Sequence, residues 1–288
     1  MNEVKISALA LALALAACGE TPEGAPDAAA DGQIDATPDA PPAVGRWTTA
    51  EPIIELASAT DDRFPSLAVG GHSIYFTRTE MIGSFVVNVP YTAVRASLDL
   101  PFGVPYRPVT WGASSIFDQE HSSDHIEWFF WRALGQLGTS ARASTGDPWS
   151  FPSDLGVDGF SPSLSGDGLS LYFVDFNGEL AVMTRPDRAS AWSAPAVVPV
   201  AGEISIAQVD VSGDERTLLI SSDPASASAG IYLATRGSTS EAFAEPVAIP
   251  ELAGPYRSAR FREGETEIVC ELELGGDFNV YRSLYISE

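Results

Sequence analysis

One pattern is written five times along this chain, and a pattern repeated at near-constant spacing restricts the fold to stacked, equivalent units. The clearest copy is Phe160-Ser-Pro-Ser-Leu-Ser-Gly-Asp-Gly-Leu-Ser-Leu-Tyr-Phe173, then Leu180-Ala-Val-Met-Thr-Arg185, then Trp192-Ser-Ala-Pro195. Its parts are a Pro-Ser-Leu segment, a polar turn, an apolar triplet, a second apolar run ending in Arg, and an aromatic with Pro three residues on. The triplets are Ile74-Tyr-Phe76, Ile126-Glu-Trp128, Leu171-Tyr-Phe173, Leu218-Leu-Ile220 and Ile268-Val-Cys270, each after a polar or glycine turn. Short β-rich runs bounded by such turns read as hairpins.

The aromatic-x-x-Pro element recurs as Phe102/Pro105, Trp149/Pro152, Trp192/Pro195 and Phe243/Pro246, with a looser copy at Trp47/Pro52. Successive aromatics lie 55, 47, 43 and 51 residues apart. That period, with about four short strands per copy, predicts an all-β, five-bladed propeller of four-stranded antiparallel blades over 47–288. The chain enters the repeat at an aromatic-Pro strand, Trp47 to Leu56, and leaves after a third strand near Ile286. The N-terminal strand is therefore expected to complete the last blade, which closes the ring and removes sheet edges.

These motifs resemble the TolB-like, WD40-like (PD40) β-propeller repeat. The resemblance is strongest over Phe160 to Pro195 and good around Phe64-Pro-Ser-Leu67 and Ile206 to Arg236. It is weak in the second copy, where Trp128-Phe-Phe-Trp131 runs on from the triplet and no Pro-Ser-Leu is found. Such repeats imply a binding scaffold, often in the bacterial envelope, with ligands at the mouth of the central channel. On that face the repeat places Asp61, Asp62, Asp158 and Glu203 in loops before inner strands. Arg78, Glu80, Asp175, Asn177 and Asp223 fall between second and third strands. Together they could form a polar rim for a cation, a sugar or a basic peptide, or serve only as turn residues. The apolar insertion Thr77 to Pro90 reads either as a cap on the mouth or as an extended hairpin on its own blade.

Residues 1–17 read as a secretory signal, with Lys5 before the apolar run Ile6 to Ala17. Leu15-Ala16-Ala17-Cys18 resembles a lipobox, which implies acylation at Cys18; Gly19 in the next position implies sorting to the outer membrane or cell surface of a Gram-negative bacterium. Residues 18–46 form a Pro/Ala-rich acidic tether too poor in apolar surface to offset its ordering entropy. The net charge is −23 and Lys5 is the only lysine. So acidic a chain is a poor match for nucleic acid, and membrane contact is expected only through the acyl anchor. With Cys18 assigned to lipid, Cys270 stands alone in an apolar strand and reads as a small buried hydrophobe.

Asp118-Gln-Glu-His-Ser-Ser-Asp-His125 is the densest polar cluster. His121 and His125 with three carboxylates could hold a divalent metal on a helix. Here the segment is expected as a solvated turn before Ile126, so neither metal nor cofactor is assigned. There is no Gly-x-Ser-x-Gly elbow, and a mature chain without lysine has no phosphate-binding loop. Five-bladed glycosidases carry carboxylates on their inner strands, where this chain offers Asp210 but also Arg257 and Arg260. The expectation is non-catalytic binding of an envelope protein, peptide or glycan. The alternatives are a carbohydrate-active enzyme of the five-bladed type and an assembly scaffold without a small ligand.

Overall fold

Short strands with two apolar faces cannot stand alone in water, so each hairpin of the repeat must stack on its neighbours. The structure, a computed structural model, describes residues 45–109, 115–132, 135–261 and 266–287. Residues 1–44, with Cys18 and most of the tether, lie outside the described residues; Gly45 and Arg46, expected as the end of the tether, belong instead to the first strand because they pair with Ser287 and Ile286. The described chain opens with β1 (Gly45–Trp47) and β2 (Glu51–Pro52). Blade one is β3 (Asp62–Leu67), β4 (Ser73–Ile82) and β5 (Phe85–Val94). Blade two is β6 (Ile116–His121), β7 (Glu127–Arg132), β8 (Gln136–Ala141) and β9 (Ser153–Asp158). Blade three is β10 (Phe160–Leu164), β11 (Ser170–Val174), β12 (Leu180–Thr184) and β13 (Ala196–Val197). Blade four is β14 (Ile206–Val211), β15 (Thr217–Ser222), β16 (Gly230–Thr235) and β17 (Val247–Ala253). Blade five is β18 (Tyr256–Phe261), β19 (Glu267–Leu274) and β20 (Asp277–Ser287). Within each blade the described strands pair antiparallel, and the five sheets form the expected five-bladed propeller.

The ring closes as the order of strands requires. β1 and β2 both pair with β20 and give blade five its outer strand. The late Pro of the first copy has a structural cause: residues 48–50 separate β1 from β2, so Pro52 reaches its place opposite Tyr281 two residues late. Blade one departs from the four-stranded plan. Its outer strand shrinks to one bridge between Thr92 and Tyr106, while β4 and β5 extend into a long hairpin. The insertion Thr77 to Pro90 is thus the hairpin of the two readings. Pro90 removes an amide from its outer edge, which blunts that edge against further pairing.

The core lies between blades. Leu219, Ile231 and Ile268 join blades four and five; Tyr172, Val174 and Val209 join three and four; Ile74, Phe76 and Val269 join one and five. Cys270 is buried in the first of these layers, where burial pushes its thiol far above the ordinary range and leaves it inert. No helix among the described residues is long and apolar enough to cross a membrane.

The arginine that ends the third strand explains itself. Arg95, Arg142, Arg185 and Arg236 lie over Phe102, Trp149, Trp192 and Phe243, at 4.6, 4.4, 4.3 and 4.3 Å from the ring centres. Each donates from Nε to a carbonyl in the turn of its own blade: Gly71, His125, Gly168 and Glu215. Three of them cross to the preceding blade. Arg185 holds Glu127 through two bonds of 2.8 and 2.6 Å, Arg95 donates to Glu267 at 2.9 Å, and Arg236 donates to the Tyr172 hydroxyl at 2.7 Å.

The turns themselves are built alike. Ser122, Ser165 and Ser212 donate to the Asp two residues on and accept the amide five residues on. Where blades three and four meet, the Gly166 amide donates to the Gly213 carbonyl at 3.0 Å, and a Cβ on Gly166 would lie 3.0 Å from that same oxygen. Only glycine allows this approach.

Arg185→Ala removes both close bonds to the largely buried Glu127 carboxylate, leaving it only Arg188 at 3.7 Å, and strips Trp192 of its cation. We expect a loss of about 3 kcal/mol in urea denaturation, in the range for breaking a buried pair. Arg185→Lys should not restore it, because an ammonium cannot reproduce the two-pronged geometry.

Candidate functional site

The first strand of every blade carries a register shift near its start. At four of these irregularities a non-glycine residue takes a positive φ: Phe64 (54°), Asp118 (34°), Ser161 (56°) and Ser258 (51°). A left-handed residue costs on the order of 1 kcal/mol, and bulges re-aim side chains. Here they form two tiers around the axis. Counted back from the end of each inner strand, Phe64, Asp118, Ser161, Gln208 and Ser258 are equivalent positions. The deeper tier is Ser66, Glu120, Ser163, Asp210 and Arg260, fixed by their partners Tyr75, Phe129, Tyr172, Leu219 and Val269 on the second strands.

These residues bond to one another across blades. Arg260, 1% exposed, donates to Asp118 at 2.6 Å, to Asp210 at 3.2 Å and to the Val209 carbonyl at 2.9 Å; Glu120 lies 3.9 Å away. Ser163 donates to Asp210 at 2.9 Å, and Ser66 to Glu120 at 3.3 Å. Gln208 bridges Asp118 and the Ser258 amide. The inner strands leave amides unpaired at the axis, and neighbouring side chains satisfy several of them. Val209 and Val211 donate to the Ser161 and Ser163 hydroxyls, Phe261 to Asp210, and Phe64 to Glu271.

One guanidinium cannot neutralise three carboxylates. Burial first, then the carboxylates of Asp210 and Asp118, push Glu120 up to about 8 against the pull of Arg260 and Ser66. Glu120 is therefore a protonated carboxyl near neutral pH. Burial also raises Asp210, opposed by Arg260 and the Phe261 amide. Arg260 is held charged: burial opposes its charge, but Asp118, Asp210 and Glu120 outweigh it.

The inner strands begin, and the hairpins between second and third strands turn, at the same end of the barrel axis. Five aromatic rings run across this mouth in unbroken sequence. Phe64 meets Phe117 at 6.1 Å, Phe117 meets Trp131 at 4.8 Å, Trp131 meets Phe160 at 6.1 Å, and Phe160 meets Phe176 at 6.3 Å. Phe176 is exposed; Phe117, Trp131 and Phe160 are partly open. The second-copy departure Trp128-Phe-Phe-Trp131 thus has a use, since Trp131 joins Phe117 of its own blade to Phe160 of blade three.

The polar rim expected from the sequence does not gather into one site. Asp62 is fully buried and pairs with Arg78 at 2.7 Å. Arg78 and Glu80 lie within β4, not in a loop, because the hairpin continues to Ile82; Glu80 accepts from Tyr91 and pairs with Arg107. Asp61 caps the Phe278 amide of blade five at 3.2 Å. Asp175 caps the turn containing Asn177, and Asp223 accepts from the Ala225 amide. Asp158 ends β9 and Glu203 lies in the exposed connection to β14. Among the described residues no hydrogen bond or ion pair draws these last five together beyond Asp175 with Asn177.

The Asp118–His125 segment is also corrected. Only Ser122 to Ile126 form a turn; Asp118 to His121 belong to β6, and Asp118 and His121 are buried. Asp118 and Glu120 join the axial tiers while His121 stacks on Tyr75 at 3.6 Å and on Trp128 at 5.0 Å. Burial, His125 and Arg142 hold the His121 imidazole neutral. Among the described residues no cluster of three or more His, Cys, Asp or Glu side chains is arranged to hold a metal.

No family model matches the sequence, and no curated protein matches it. Solved structures do share its fold. An α-L-arabinofuranosidase from Podospora anserina, in complex with cellotriose, is similar at TM-score 0.59 with 12% identity, over 85% of this chain and 98% of that one. A β-xylosidase is similar at TM-score 0.57 with 8% identity, over 81% of this chain and 94% of that one. TolB from Acinetobacter baumannii is also among the similar structures, at TM-score 0.47 with 13% identity, over 81% of this chain and 56% of that one.

Because the Glu120 carboxyl holds its proton better folded than unfolded, it stabilises the fold below its unfolded value, near 4.5, and that contribution is lost as pH rises toward about 8. We expect the melting temperature to fall over this interval. Glu120→Gln, neutral at every pH, should flatten the decline; an unchanged slope in scanning calorimetry would show that Glu120 is not its source.

Proposed function

We propose that this propeller binds a glycan laid across the mouth of its axial channel. The partly open rings of Phe117, Trp131 and Phe160 and the exposed Phe176, backed by the buried Phe64, carry the reading. Open aromatic faces are costly to leave in water, and they match the apolar C–H faces of pyranose and furanose rings. A chain of such faces suits a chain of sugars better than it suits a single small ligand. The polar tiers below the arc offer hydroxyl, amide and carboxyl groups to the sugar hydroxyls. Two structures that share the fold are described as glycosidases, one of them with cellotriose bound.

Hydrolysis is the second reading, favoured by Glu120. A carboxyl protonated near neutrality is what a general acid requires. Against it stands the grip of Arg260 on Asp118 and Asp210, the two acids nearest to serving as base or nucleophile. Binding without turnover is therefore the primary proposal. In the same reading an acyl chain on Cys18 presents the domain at the envelope, and the mass of the N-terminal peptide from native membranes tests that anchor.

Titration calorimetry with xylo-, arabino- and cello-oligosaccharides tests the main claim. We expect binding by the wild type and a loss of at least about tenfold on Trp131→Ala, the scale of one lost stacking contact with its buried area. Release of reducing sugar, abolished by Glu120→Gln with binding retained, would establish the hydrolytic reading. Absence of binding to any glycan would overturn both.

A further inference from the structure

The aromatic arc does not stop at Phe64. The Arg63 guanidinium lies 4.8 Å from the Phe64 ring centre and 4.0 Å from that of Phe278. The Arg257 guanidinium approaches the same Phe278 ring at 5.1 Å. Two cations from adjacent inner strands, β3 of blade one and β18 of blade five, thus meet over one ring at the mouth. This convergence is unusual in a chain of net charge −23, where most arginines serve a staple or a single acid.

Neither guanidinium is saturated. Each carries five N–H donors. Arg63 uses Nη2 toward Glu271 at 3.3 Å, and Arg257 uses Nη2 toward Glu273 at 3.2 Å. Both Nε atoms are buried without a hydrogen-bond partner. The side chains remain 28% and 26% exposed, so a ligand at the mouth can reach both arginines even though their Nε atoms are buried. Both guanidinia lie over the Phe278 ring, and a planar fork of donors is the natural complement of a planar carboxylate.

Resting on the glycan reading, we propose that the ligand is acidic: a uronate-bearing oligosaccharide whose sugar rings follow the aromatic arc and whose carboxylate is taken by Arg63 and Arg257. A neutral chain would leave those donors to water alone. The acids of the deeper tiers are held by Arg260 and do not compete for the pair.

The test is calorimetric titration of the folded domain at fixed ionic strength. The probes are a neutral xylo-oligosaccharide and an oligogalacturonate of equal length. We expect the uronate to bind at least about tenfold tighter, one charge-assisted hydrogen bond or more in free energy. Arg257→Gln should remove most of that ratio; its partner Glu273 is 41% exposed and tolerates the loss. Arg63→Gln strips the buried Glu271 and needs a melting curve beside it. Trp131→Ala should weaken both probes alike. Equal affinity for the two sugars, or a ratio untouched by Arg257→Gln, would overturn the acidic-ligand assignment and leave glycan binding standing. No binding of either probe or of any other glycan would remove both.

Discussion

A cation stacked on an aromatic ring and bonded back to a turn is the contact on which this propeller depends. Blades touch mainly through apolar side chains, which are indifferent to small rotations. Arg95, Arg142, Arg185 and Arg236 add direction. Each fixes the outer strand's aromatic against the third strand, ties both to the second-strand turn, and in three cases reaches the preceding blade. Arginine serves here because its planar fork can stack and donate at once. The absence of lysine from the domain fits this use, although solubility alone would accept either residue.

Angular order at the periphery sets the geometry at the centre. Five inner strands held at fixed rotation bring equivalent positions to one level, so Ser66, Glu120, Ser163, Asp210 and Arg260 meet. Symmetric positions filled by different residues give a polar floor with one cation and unequal acids. The mouth above it is likewise asymmetric: rings on blades one to three, guanidinia where blades five and one adjoin.

The architecture was legible because it is written locally. Apolar triplets, turn residues and the Arg–aromatic–Pro order each report neighbours in the chain, and period does the rest. The functional surface was not. Asp118 and Glu120 sit in a copy that lacks Pro-Ser-Leu, so without a template they read as part of a turn. Aligning Phe117-Asp-Gln-Glu-His121 with Phe160-Ser-Pro-Ser-Leu164 would have moved them to the axis. The loop acids stand out in the sequence by charge, yet Asp62 and Glu80 are spent on Arg78 and Arg107, and Asp175 on its own turn. Rings that touch across blades, such as Trp131 and Phe160, are 29 residues apart and carry no pairwise signal in one sequence.

The way the ring is shut imposes an order of events on synthesis. Among the described strands β1 and β2 leave the ribosome first, and their sheet partner there is β20, more than 220 residues later. Until then Trp47 has no Tyr285 to meet, and the flanks of blade five and blade one have no cover. The nascent chain must carry an unpaired strand through the making of four blades. Contacts this distant in sequence close slowly. A chaperone that shields the first few strands would have to stay until β20 emerges, and the pairing of β20 would release it.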